Sequence, residues 1–176
     1  MLHWEQFPIR VYFQTGSAFT DERKKSALAG FAQWVLATGG VVRYEEVALP
    51  AKADLVVKFD PDTWVPHETG TAGSTALYFS GLRLRKAEME LATGRATPYQ
   101  LQTTAAHEFG HALGIDGHSN DPDDLMYPVA IRTYSPASLA FPEPPRSITA
   151  RDLNTLKTAY GSLFAPKPAN RGSATP

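Results

Sequence analysis

Three of the chain's five histidines fall in one short run, His107-Glu108-Phe109-Gly110-His111-Ala112-Leu113-Gly114-Ile115-Asp116-Gly117-His118. His107 and His111 are four residues apart. On a helix that spacing puts both imidazoles on one face, one turn apart, where they can grip a single metal ion. Glu108 directly follows the first imidazole, so it lies beside such a metal rather than on it. From there it can take a proton from a metal-bound water. Gly114 lets the chain turn back, so a residue a few positions later can supply a third ligand. The competing reading is a helix with two solvent-facing histidines. At this composition His-Glu-x-x-His is expected only about 0.007 times by chance, and a further histidine follows, which favours the metal.

The elements that must position these residues are also legible. Thr97 is an N-cap, Pro98 sits at the first helical position and Gln100 completes a capping box. The helix they start should run to Leu113, with Gly114 as its left-handed stop. Upstream, Ile9, Val11 and Phe13 alternate with polar residues and read as a strand. Thr20 then caps a helix on which Leu28, Phe31, Ala32, Val35 and Leu36 recur, and which Gly39-Gly40 stops near Thr38. Residues 41–48 and 54–60 read as strands, giving a βαβ unit with a parallel pair. Ser74–Phe79 and Lys86–Leu91 are shorter strand candidates, and residues 61–73 read as loop. Residues 115–147 are nearly all loop, a length that usually serves function. Thr149 caps a last helix, with Leu153, Leu156 and Tyr160 on one face and Gly161 after it.

Composition narrows the function classes. A chain of 176 residues suits one domain that needs no disulfide to hold its core. Cysteine is absent, which excludes a disulfide framework, a thiolate zinc finger, a cysteine protease and an iron–sulfur site. A net charge of −1 lacks the basic stripe that nucleic acid requires. No apolar run approaches the ~18 residues of a membrane span. Residues 1–6 show no signal-peptide pattern.

The segment HEFGHALGIDGHS, with Met126 in LMYP eight residues after His118, resembles the matrixin branch of the metzincin zinc endopeptidases. The resemblance extends over residues 8–161. It implies an α+β metzincin fold: a mixed, twisted five-stranded sheet, a backing helix, the active-site helix, the Met-turn and a C-terminal helix. The catalytic domain is then expected to span 1–164, with 165–176 a disordered polar tail. The family's third histidine usually comes six residues after the second, where this chain has Gly117. His118, one residue later, is the first choice of ligand and Asp116 the second.

By this resemblance His107, His111 and His118 hold one catalytic zinc and leave a position for water, which Glu108 activates. Met126 forms the floor under the zinc, and Asp152 braces the Met-turn. Arg151 replaces the family carboxylate that receives the mature N-terminal amine. Ser74, Thr75 and Ala76 form the upper rim of the substrate cleft, and Pro128, Val129 and Ala130 its lower wall. Thr103 falls in the main specificity pocket. Leu77 and Glu88 replace histidines of the family's second zinc, and His3 and His67 read as surface residues. Asp60-Pro61-Asp62 and Asp121-Pro122-Asp123-Asp124 read as turn and cap residues, so calcium is unsupported.

The function implied is hydrolysis of peptide bonds in extended protein substrates by a monomer without nucleic-acid or membrane partners. The alternatives are a non-catalytic zinc- or peptide-binding relative and a zinc hydrolase of non-peptide bonds. Export is favoured by the resemblance, although this chain shows no signal peptide. On this reading the length is expected to leave no room for a pro-segment. The missing cysteine removes the thiol by which many matrixins block their own zinc, so restraint from outside the chain is expected.

Overall fold

Alternation sets the first strand. The computed structural model describes residues 1–61, 72–94, 96–128 and 146–164, and in it strand β1 (Ile9–Phe13) buries Ile9, Val11 and Phe13. Helix α1 (Asp21–Ala37) follows, with the Thr20 side chain accepting from the Arg23 N–H and Asp21 and Glu22 in the first turn. It ends at Thr38, before Gly39 and Gly40 at positive φ. Strand β2 (Tyr44–Glu46) is shorter than the predicted 41–48, and Val42 is buried outside it. A single turn of 3-10 helix (Pro50–Lys52), unforeseen in the sequence, leads to β3 (Leu55–Asp60). Val56 is buried beside Leu55, Val57 and Phe59, as suits a strand flanked on both sides within the sheet.

Strands β4 (Gly73–Ser80) and β5 (Arg83–Ala92) are each longer than predicted. They form an antiparallel hairpin, with Gly81 at φ +60° in its turn. The sheet order is β2-β1-β3-β5-β4, parallel except for β4 at the edge. This is the five-stranded mixed sheet expected of the α+β metzincin fold. Helix α2 (Pro98–Ala112) begins with the predicted capping box: the Thr97 hydroxyl accepts from the Gln100 N–H, and the Gln100 side chain from the Thr97 N–H. Gly114, at φ +100°, stops it, and a Cβ there would lie 2.2 Å from the Leu2 carbonyl oxygen. Only glycine meets both conditions.

Helices α1 and α2 share the core. Phe31 stacks on Phe109 at 4.3 Å between ring centroids, and the Trp34 indole donates to the Ala106 carbonyl at 2.8 Å. Both rings of the stack are fully buried, which contributes roughly 1.5–3 kcal/mol each. The open carbonyls at the end of α2 are taken by distant residues. The Trp4 indole donates to Ala112 at 2.7 Å, and the Tyr160 hydroxyl to Leu113 at 2.8 Å. Tyr160 belongs to helix α3 (Ala150–Phe164), which departs from helical geometry at Tyr160 and runs on beyond Gly161 instead of stopping there. The predicted tail 165–176 lies outside the described residues.

Candidate metal centre

The capped helix α2 delivers His107 and His111 to one face, as their spacing requires. His107 is 4% exposed, and its Nδ1 lies 2.8 Å from the Leu125 carbonyl oxygen. His111 Nδ1 lies 2.6 Å from the Ile115 carbonyl oxygen, which returns past Gly114. A carbonyl only accepts, so each Nδ1 carries the proton and each Nε2 presents a lone pair. The Nε2 atoms converge: His111 Nε2 is 3.2 Å from His107 Nε2 and 3.2 Å from His118 Nε2. Two nitrogens bound about 2.05 Å from one tetrahedral ion stand roughly 3.3 Å apart. The lone pairs of His107 and His111 at this distance repel unless a cation lies between them, so the donor set fits zinc. Among the described residues this is the one group of three or more side chains able to hold a metal.

His118 therefore joins the group despite its displaced position, and Asp116, exposed, stays outside it. Burial lowers the His107 pKa to about 4, helped by His111 and His118 and opposed by the bond to Leu125. Burial likewise lowers that of His111. Both rings are neutral at neutral pH, the form that binds metal.

Glu108 is 5% exposed, and burial raises its pKa to about 7. Its Oε2 accepts from the Thr75 hydroxyl at 2.7 Å, which partly offsets the rise. The contact depends on Gly73, where a Cβ would stand 2.8 Å from Glu108 Cγ. The Thr75 side chain thus points in toward Glu108, while Ser74 and Ala76 face outward on the edge strand. Strand alternation carried that signal, but only contact with α2 names the partner.

Met126 is buried under α2, where Gly110 leaves room for it; a Cβ at 110 would stand 2.4 Å from its sulfur. Asp152 braces this turn as the resemblance implies, accepting from the N–H groups of Leu125 (3.0 Å), Met126 (3.2 Å) and Thr149 (2.8 Å). Leu125 in turn orients His107, a link the sequence did not reveal. Thr103 is buried and accepts from the Arg146 N–H at 3.2 Å. Pro128 is exposed, whereas Val129, Ala130, Asp62 and His67 lie outside the described residues. Glu88 pairs with Lys86 at 2.6 Å. Asp121 accepts from the Asp123 N–H at 2.9 Å, as a turn residue does.

A family model described as "Matrixin" matches residues 6–161. Matrix metalloproteinase-9 of Canis lupus familiaris is 58% identical over 38 residues, 22% of this chain and 5% of that protein. Matrix metalloproteinase-18 of Xenopus laevis is 37% identical over 79 residues, 45% of this chain and 15% of that protein. Neutrophil collagenase of Homo sapiens is 38% identical over 75 residues, 42% of this chain and 14% of that protein. The matched stretches thus span a small part of these relatives.

Proposed function

The chain belongs to the matrixin family, and from that premise we propose that it is a zinc-dependent endopeptidase with His107, His111 and His118 as metal ligands and Glu108 as general base. The carrying observation is three imidazole nitrogens within 4.8 Å of one another, two of their separations 3.2 Å, with a buried carboxylate next to the first of them on the same helix. Bound there, zinc supplies a Lewis acid that acidifies water toward a pKa of ~7 and polarises a carbonyl. Glu108 takes a proton from the attacking water and hands it to the leaving amine nitrogen. In the metal-free site burial raises the Glu108 pKa to about 7, and a cation bound beside it would draw the carboxyl toward the ionised form that accepts the proton. Thr75 keeps the carboxylate in one orientation.

The substrate binds extended. Strand β4 is the edge of the sheet, so its outer backbone groups can pair with a peptide strand in β-augmentation. Ser74 and Ala76 then line the upper rim, and Pro128, Val129 and Ala130 the lower wall. Thr103 lies in the specificity pocket. Protein substrates and export are supported by family membership, and they and a monomeric state are part of the same proposal. No helix among the described residues is long and apolar enough to cross a membrane.

A quenched-fluorescence peptide library tests the activity. Cleavage that a chelator abolishes and added zinc restores is expected. Zinc binding with no cleavage would favour the non-catalytic alternative, against which the buried base already argues.

A further inference from the structure

His118 is held differently from its two partners. His107 and His111 ride on a helix, and each ring is fixed by a backbone carbonyl. His118 is exposed on a loop, and among the described residues no carbonyl accepts from its Nδ1. The loop borders an open cavity of about 540 Å³ whose lining includes Gly117, His118, Ser119, Asp124, Arg151 and Asn154. What ties it down is polar. The Ser119 N–H donates to the Met126 carbonyl at 2.8 Å, and the Ser119 hydroxyl to Asp124 Oδ2 at 2.5 Å. The Asp121 N–H donates to the Ser119 hydroxyl at 3.1 Å.

Asp124 is the hub of these ties. Its side chain is fully buried and also accepts from the Thr149 hydroxyl at 2.6 Å. A buried carboxylate needs a cation, and Arg151 supplies it through Nε at 2.9 Å. The same guanidinium also meets Asp121 through Nη2. Burial alone would raise the Asp124 pKa; the bonds from Arg151, Ser119 and Thr149 hold it at about 2.

We propose that Arg151 is a positioning residue for the third metal ligand: through Asp124 and Ser119 it latches the loop that presents His118. The first turn of α3 then serves two ligands at once, Asp152 through the carbonyl that orients His107 and Arg151 through the loop that carries His118. The latch rests on the zinc reading above and deepens it.

The test compares wild type, Arg151→Ala, Arg151→Lys and the double variant Asp124→Asn/Arg151→Ala. Zinc affinity is measured by competition with a chromophoric chelator. The cobalt(II)-substituted proteins report ligand geometry through their visible spectra. Arg151→Ala should bind zinc about tenfold more weakly, the lower end of what outer partners of a metal site contribute, and lose tetrahedral cobalt absorption. Arg151→Lys keeps the charge without the fork and should lose less. The double variant, with no buried charge left to compensate, should recover most of the affinity. Thermal unfolding of the metal-free proteins separates fold from latch, since general destabilisation would lower the midpoint without altering the cobalt spectrum. Wild-type zinc affinity and an unchanged cobalt spectrum in Arg151→Ala would overturn the latch alone. A wild type that binds no zinc would overturn the metal reading with it.

Discussion

Replacing Glu108 with Gln should stabilise the metal-free protein at neutral to alkaline pH while removing its activity. The carboxyl is 5% exposed, and burial raises its pKa from 4.5 to about 7. Between these values the native state keeps a proton that the unfolded chain has released. Stability therefore falls as pH rises through this window. A shift of this size, at about 1.4 kcal/mol per unit, costs the wild type about 3 kcal/mol above pH 7. Glutamine has nearly the same volume, stays neutral and can still accept from Thr75. The low pKa of His107 works in the opposite sense, adding stability as pH rises from about 4 to 6.5. It is common to both proteins and cancels in their difference. Urea unfolding of the metal-free proteins at pH 4.5 and pH 8 is the assay. The midpoints should nearly coincide at pH 4.5, and Glu108→Gln should lie on the order of 1–2 M higher at pH 8. Zinc should narrow the gap, because a nearby cation favours the ionised carboxylate. A midpoint difference that does not change with pH would refute the reasoning.

Thr75→Val removes a hydrogen bond to Glu108 without changing shape, and should lower kcat about tenfold with KM within about twofold. Thr75→Ser should restore most of the rate in the same steady-state assay. Asp152→Ala leaves three N–H groups without their acceptor and should destabilise the fold by about 3 kcal/mol or more, read by chemical denaturation. Asp116→Asn should keep its zinc in a metal-content assay, whereas His118→Ala should lose most of it.

What was legible in the sequence was local. The Thr97–Gln100 capping box, the left-handed stop at Gly114 and the four-residue spacing of His107 and His111 each follow from neighbours along the chain, and all appear in the structure. The choice of third ligand needed more. The loop that leads to His118 follows a path that no periodicity describes, and only the converging nitrogens separate His118 from Asp116. The partners of Glu108, Asp124 and the end of α2 come from Thr75, Arg151, Trp4 and Tyr160. These contacts join residues 27 to 108 positions apart, or reach across from another element, so spacing rules cannot find them. Strand β2 came out short because Val42 is buried without joining the ladder, a distinction that hydrophobicity does not make.

The most direct test of the central claim is the metal itself. Elemental analysis should find one zinc per chain, and anomalous scattering at the zinc edge should place it about 2.0–2.1 Å from Nε2 of His107, His111 and His118. A chain that retains no zinc, or a zinc held by Asp116 with His118 turned away, would contradict it.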